Sequence, residues 1–365
     1  MAVLMLGTVA GIALGATFIG RGGSQAPIAV HPVRTASAPD VPRTPSVPRE
    51  IRGVHVTMAL ASIRGRLDRY IALRAYGLNT LELDVKDENG KVGFVSGAPA
   101  PALKIGAARP YYDANRVAAA AHDAGLYLIG RVVVFEDPTL TAARPELAIK
   151  RPDGSVWQTR GGLGWANPYD RRVWKYNVEV AAAAARAGFD EIQFDYARFP
   201  SDGDLQAMVF PVRRSEPKGR TIAGFLAYAA SRLHPLGVRV SVDVFGLAAT
   251  RDLGVGQVPQ RISRHVDAIY PMVYPSHYSA GEYDLTDPDL FPGRTVASSL
   301  LDFRRAVKGR ARIVPWLQDF SIRHTYGPLE VEDQVAAARR QHVAGFMLWN
   351  PEGVYTSEAL SGPSG

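Results

Sequence analysis

Carboxylates recur on one face of the short β-rich runs of this sequence. Thr80–Lys86 carries Asp84, Glu191–Tyr196 carries Asp195, and Val238–Phe245 carries Asp243. Side chains on a strand alternate between two faces. In Val238–Phe245 one face is Val238, Val240, Val242 and Val244, and the other is Arg239, Ser241 and Asp243. Thr80–Lys86 divides into Leu81, Leu83 and Val85 against Glu82, Asp84 and Lys86. Glu191–Tyr196 divides into Ile192, Phe194 and Tyr196 against Glu191, Gln193 and Asp195. Gly53–Thr57 sets Val54 and Val56 against Gly53, His55 and Thr57. The apolar faces belong under helices. The polar faces then point into an interior where an unpaired charge is costly. Two carboxyl groups, one ionised and one held protonated by its surroundings, are what glycoside hydrolysis requires.

The elements that must position these residues follow from the alternation of patterns after Arg52. Strand-like runs are Gly53–Thr57, Thr80–Lys86, Tyr127–Phe135, Glu191–Tyr196, Val238–Phe245, Ala268–Tyr274, Arg312–Leu317 and Gly345–Trp349. Helical stretches separate them: Ile63–Ala75, Asp113–Ala124, Arg171–Ala187, Thr221–Leu233, Gln257–His265, Thr295–Val307 and Glu330–His342. Several meet a glycine at their ends, at Gly77, Gly125, Gly188 and Gly237, as helix C-caps do. Eight strands alternating with helices predict an α/β fold, a (β/α)8 TIM barrel over residues 51–360. A doubly wound open sheet is the alternative. It would carry a glycine-rich phosphate loop after its first strand, where this chain has Thr57–Ser62 and no GxGxxG.

Barrel active sites are built at the C-terminal ends of the strands. The candidates there are His55, Thr57, Asp84, Lys86, Asp87, Arg131, Asp195, Arg198, Asp243, Tyr274, His277, Gln318, Asp319, Trp349 and Asn350. Asp195 and Asp243 are the catalytic pair. On neighbouring strands ~4.8 Å apart they meet the ~5 Å spacing of a retaining glycosidase. An acid at Asp319 or Asp84 would widen the gap and favour inversion. Asp84, Lys86, Asp87, Arg131, Arg198, Tyr274, His277, Gln318, Asp319 and Trp349 are the substrate-binding set. Each has a structural alternative. Asp195 and Asp243 could be paired to Arg131, Arg198 or Arg239, and Asp84 with Lys86 could form an internal ion pair. His277 could be an ordinary loop histidine and Trp349 barrel packing rather than a platform for a sugar ring. Asp319 follows Gln318, which would aim it away from the axis.

No cofactor is called for. The 365 residues include no cysteine, which removes disulfides, thiolate metal sites and cysteine nucleophiles. An oxygen-ligated divalent ion held by Asp84, Asp87, Asp195 and Asp243 is the chemical rival, but no HExxH or DxDxDG spacing occurs. A serine hydrolase would need a GxSxG elbow, which is missing. The net charge is +7, and 35 of the 42 basic residues are Arg. They are scattered, with no basic run, so nucleic acid is not an expected partner.

Residues 2–19 (AVLMLGTVAGIALGATFI) carry no charge and reach the lower length of a membrane span. Residues 1–20 read as a signal peptide or a membrane anchor, without the basic n-region of the former. Residues 21–50 are rich in Pro, Ser, Ala and Arg, an extended linker that buries no core. Together they predict an exported domain, attached to the membrane if the segment is uncleaved. Residues 361–365 read as a disordered tail.

The stretch Gly188-Phe-Asp-Glu-Ile-Gln-Phe-Asp-Tyr-Ala-Arg-Phe-Pro-Ser-Asp-Gly203 resembles the signature of the glycoside-hydrolase-like family DUF4015. Leu83–Asp87, Gly130–Phe135, Asp137-Pro138, Trp165, Asn167-Pro168, Asp243–Gly246, Pro271–Tyr278, Pro315–Phe320 and Leu348–Asn350 agree with it. The resemblance spans about residues 50–360. It implies a barrel glycosidase in which Asp195 is the nucleophile and Asp243 the acid/base, although many related barrels carry Glu in the latter place. The expected substrate is a cell-envelope or extracellular polysaccharide. A non-catalytic carbohydrate-binding barrel and a metal-dependent glycan esterase or deacetylase are the alternatives.

Overall fold

A computed structural model describes residues 46–213 and 215–362. The expected signal or anchor segment, residues 21–45 of the linker and residues 363–365 of the tail lie outside the described residues. The strands are β1 (Ile51–Val56), β2 (Thr80–Lys86), β3 (Tyr127–Val133), β4 (Glu191–Asp195), β5 (Arg239–Phe245), β6 (Ala268–Val273), β7 (Arg312–Ile313), β8 (Trp316–Gln318) and β9 (Gly345–Trp349). All their pairings are parallel, running β5-β4-β3-β2-β1-β9-β8-β6, and β5 pairs with β6 to close the ring. The run expected as one strand over Arg312–Leu317 is two pieces, β7 and β8. Both lie beside β6, with Ile269 opposite Ile313 and Met272 opposite Trp316. Pro315 between them has no N–H to give the ladder. The Val314 N–H to Ile269 O and the Met347 N–H to Pro315 O carry pairing across the gap. The result is a closed eight-stranded (β/α)8 barrel.

The outer strand faces are the apolar ones. Leu81, Leu83, Val85, Ile192, Phe194, Val240, Val242 and Val244 are buried in one core with the covering helices. In helix Arg171–Arg186, Trp174 and the run Ala181–Ala185 are buried. Small side chains there let the helix lie close to β3 and β4, and Trp174 packs edge-on to Phe225 at 5.7 Å on the next helix, Lys218–Leu233. The helix expected over Ile63–Ala75 is broken into Met58–Ser62, Arg66–Ala72 and a 3-10 turn, because Gly65 turns the chain with φ +72°. The helix expected over Gln257–His265 shrinks to Pro259–Ile262, just after Gly254 and Gly256 at φ +71° and +83°.

The barrel interior is layered. Ile51, Tyr127, Ile129, Tyr270, Val314, Trp316 and Met347 form a small apolar plug. Gly53 leaves room for it, since a methyl group there would collide with the Met347 sulfur. Charged and polar side chains share this interior: Glu82, Glu191, Gln193, Ser241 and Asp243 are all at most 2% exposed. A stable barrel does not need buried carboxyls.

Candidate active site

β4 and β5 run side by side, with Gln193 opposite Ser241 and Phe194 opposite Val242. Asp195 closes β4, and Asp243 stands at the next level of β5. Arg131 of β3 donates to one Asp195 oxygen, Oδ2, from Nε at 3.0 Å and Nη2 at 2.7 Å. Its Nη1 donates to Asp84 Oδ1 at 2.8 Å and lies 3.5 Å from Glu88. Burial opposes the charge on Arg131, but Asp195 and Asp84 outweigh it and hold the guanidinium pKa well above its ordinary value. Beyond Asp195 the chain turns through Tyr196 at φ +49°. A bulky residue in this region stores ~1–3 kcal/mol of strain and needs surroundings that enforce it. The turn brings the Tyr196 N–H to Asp195 Oδ1 at 2.6 Å. Both carboxylate oxygens are thereby fixed, and Oδ1, with one hydrogen bond against two on Oδ2, keeps a lone pair to spare.

Asp243 lies in the opposite electrostatic setting. It is 2% exposed, and its Oδ1 accepts from Gln193 Nε2 at 2.5 Å and Trp316 Nε1 at 2.7 Å. Among the described residues no cation forms an ion pair with it. Burial first, then the charges of Asp195 and Glu82, push its pKa well above the carboxylate range. The site thus contains an ion-paired carboxyl and, a strand apart, one whose burial favours the protonated form, the division that acid-assisted glycosidic cleavage uses.

Behind them, His55 Nδ1 shares a hydrogen with Glu82 Oε2 at 2.6 Å, and His55 Nε2 lies 3.6 Å from Asp84. Burial lowers the His55 pKa to about 4, and burial raises that of Glu82. The pair is fully inside and lies beside Asp84, which in turn holds Arg131. The His55 ring also packs 4.7 Å from Trp349. Above this layer a cleft of about 160 Å³ opens at the C-terminal strand ends, lined by Asp195, Asp243, Trp316, Trp349, Tyr274 and Arg131, with Glu136, Trp165 and Arg198 on one wall. Among the described residues no three His, Asp or Glu side chains gather as ligands of a metal. The Arg131 guanidinium lies between Asp84 and Asp195, where a shared cation would sit.

A family of domains described as "Putative glycosyl hydrolase domain", DUF4015, matches residues 53–355. The chain belongs to this family. No curated protein sequence matches it. A hypothetical protein from Ruminiclostridium thermocellum ATCC 27405 is 37% identical, over 52% of this chain and 97% of that one, with a TM-score of 0.48. The glycoside hydrolase domain of PgaB (BpsB) from Bordetella bronchiseptica is similar at 13% identity, over 86% of this chain and 100% of that one, with a TM-score of 0.59. The catalytic domain of β-amylase from Paenibacillus polymyxa is similar at 12% identity, over 87% and 96%, with a TM-score of 0.52. These last two likenesses show the same barrel fold.

Of the expected site residues in this family member, Asp195, Asp243, Arg131, Arg198, Tyr274 and Trp349 line the cleft, and Asp84 lies directly beneath. Five of the expected substrate-binding residues do not reach it. A bulge shifts the β2–β3 register between Asp84 and Lys86 and swings Lys86 out of the polar face. The Lys86 ammonium is buried against Asp137 at 2.6 Å and Asn177 of the covering helix at 2.9 Å. Asp87 closes a turn by accepting from the Asn89 and Lys91 N–H groups. Gln318 is fully buried and accepts from the Ser276 N–H. His277 packs against Tyr274 and Phe320 at 5.4 and 6.1 Å. Asp319 turns away, as its position after Gln318 implied, and accepts from Thr356 N–H and Oγ1 at 2.7 and 2.8 Å. Thr57 caps helix Met58–Ser62. The sequence reading missed Glu136, Trp165 and Trp316 as lining residues. Glu136 directly follows a predicted strand end, and this position was the available signal.

Proposed function

We propose that the protein is a glycoside hydrolase acting on a cell-envelope or extracellular polysaccharide, with Asp195 as the charged carboxylate and Asp243 as the proton donor. The observation that carries this is the contrast between the two: Asp195 held by Arg131, Asp243 buried with no cation and its pKa raised well above the carboxylate range. Asp243 Oδ1 is taken by Gln193 and Trp316, which leaves Oδ2 to face the glycosidic oxygen. Asp195 then attacks the anomeric carbon from the other side, and Asp243 later takes the proton of the incoming water. Placement on adjacent strands supports this retaining course. Trp316, Trp349 and Tyr274 offer flat apolar faces to the ring. The uncharged run at residues 2–19 and the proline-rich linker support an extracytoplasmic substrate.

The test is reducing-end release from polysaccharides by the full chain and its Asp195→Asn and Asp243→Asn variants. Loss of a positioned acid or nucleophile costs ~10²–10⁴-fold in rate, so each variant should fall by that much while its circular dichroism stays that of the parent. Full activity in both on a substrate the parent cleaves would refute the assignment.

A further inference from the structure

One wall of the cleft is built differently from the rest. Arg198 is 9% exposed there, and its guanidinium packs over the rings of Trp165, Tyr196 and Phe245 at 4.9, 4.8 and 4.8 Å. Its Nη1 donates to Phe199 O at 3.2 Å and to Ser201 Oγ at 3.1 Å. Arg131, on the opposite side, has Asp195, Asp84 and Glu88 within 3.5 Å. Arg198 forms no ion pair with any carboxylate of the described residues, and its Nε and Nη2 have no partner among them. Three rings and the doubly anchored Nη1 fix the plane of the group on the cleft wall, which leaves the Nε–Nη2 edge as its unpaired side among the described residues.

Two further polar atoms on the same wall have no hydrogen-bond partner among the described residues. They are the Trp165 indole N–H and Glu136 Oε1, both buried and both on residues that line the cleft. The indole N–H can only donate. The Glu136 carboxyl is pushed up to about 7, chiefly by burial, so below that pH it also has a hydrogen to give. A buried donor without an acceptor is destabilising, and a ligand bringing acceptors would recover that loss. Neutral sugar hydroxyls would meet the donors only singly. The Nε–Nη2 edge presents two parallel N–H bonds, the match of a planar two-oxygen anion.

We propose that this wall binds a carboxylate of the substrate, with Arg198 as its fork and Trp165 and Glu136 as flanking donors, so that the glycan cleaved carries uronic acid. The inference rests on the hydrolase reading for its substrate, and its binding test does not depend on turnover. The net charge of +7 favours the approach of such a polyanion. Asp202 lines the same cleft and is partly exposed. Its charge opposes an anion, which makes it a second handle on the wall.

The probes are oligogalacturonates, oligomannuronates and oligoglucuronates, each beside the same oligosaccharide after carboxyl reduction. The full chain carrying Asp243→Asn should bind at least one oligouronate about tenfold more tightly than its neutral partner in titration calorimetry. Adding Arg198→Gln should bring that ratio towards one, and adding Asp202→Asn should raise it. Equal or tighter binding of the neutral partners, preference for a phosphorylated oligosaccharide, or no binding of any oligouronate would each overturn the proposal. If Arg198→Gln does not fold, the ratio in the parent chain and its change with Asp202→Asn still decide. Uronate preference without reducing ends released by the wild-type chain would overturn the hydrolase reading alone. Turnover confined to neutral glycans would overturn this inference alone.

Discussion

The two central carboxyls differ because their neighbours differ. Arg131 reaches Asp195 with two N–H groups, whereas Asp243 receives only neutral donors from Gln193 and Trp316. As the proposed proton donor, Asp243 must carry a proton to act, so the rate should fall as pH rises through its folded pKa, which burial, Asp195 and Glu82 set high. The Trp316 N–H favours the charged form of Asp243. Trp316→Phe removes that bond, so the alkaline limb of the kcat profile should move to higher pH. A limb that stays in place, or moves to lower pH, would show that Asp243 does not set it. The same variant distinguishes positioning from packing, because a lost contact alone lowers the rate without moving the limb.

At the scale of elements, two residues expected in the cleft anchor structure instead. The Lys86–Asp137 pair is fully buried beneath helix Arg171–Arg186, with Lys86 Nζ also donating to Val133 O at 2.8 Å. Removing one member of a buried pair strands the other and costs ~3–5 kcal/mol. Lys86→Met should lose stability on that scale in urea unfolding, with substrate KM unchanged in the fraction that remains folded. A stable Lys86→Met protein with a raised KM would return Lys86 to the site. Asp319 ties the Thr356 segment to the end of β8. Burial raises its pKa to about 6, above the ordinary value of 3.8. Between those values the unfolded chain releases the proton and the folded one retains it, so stability falls as pH rises through this window and stays lower above it. Asp319→Asn should remove that part of the slope, on the order of 1–3 kcal/mol between pH 4 and 7. An unchanged slope in the variant would contradict the assignment.

The whole molecule is a ring, and closure depends on its last strand. β9 pairs with both β1 and β8. A chain ending at residue 343 would leave two edges unpaired and expose the interior carboxyls. It should show no cooperative thermal transition, and a transition at the parent Tm would refute closure as the source of stability. This architecture was legible in the sequence because parallel strands covered by helices have one near-continuous apolar face, and β2 and β9 were bounded at their observed ends. Asp195, Asp243 and Arg131 were legible because strict alternation carries a residue to the same face along a strand. Lys86 was misplaced because one bulge inverts that alternation and leaves no mark in residue types. Glu136 and Trp165 escaped because they lie on loops, which no period governs, and Gln318 looked functional because a buried amide and a binding amide read alike.

The division of labour between Asp195 and Asp243 is tested most directly by intact and peptide mass spectrometry of the Asp243→Asn variant, quenched during turnover of an aryl glycoside whose leaving group departs without protonation. Such a substrate forms the glycosyl-enzyme without the acid, and a retaining enzyme lacking its base then accumulates it. The account predicts a glycosyl mass on the peptide that contains Asp195. An unmodified chain, or the sugar on any other carboxylate, would contradict it.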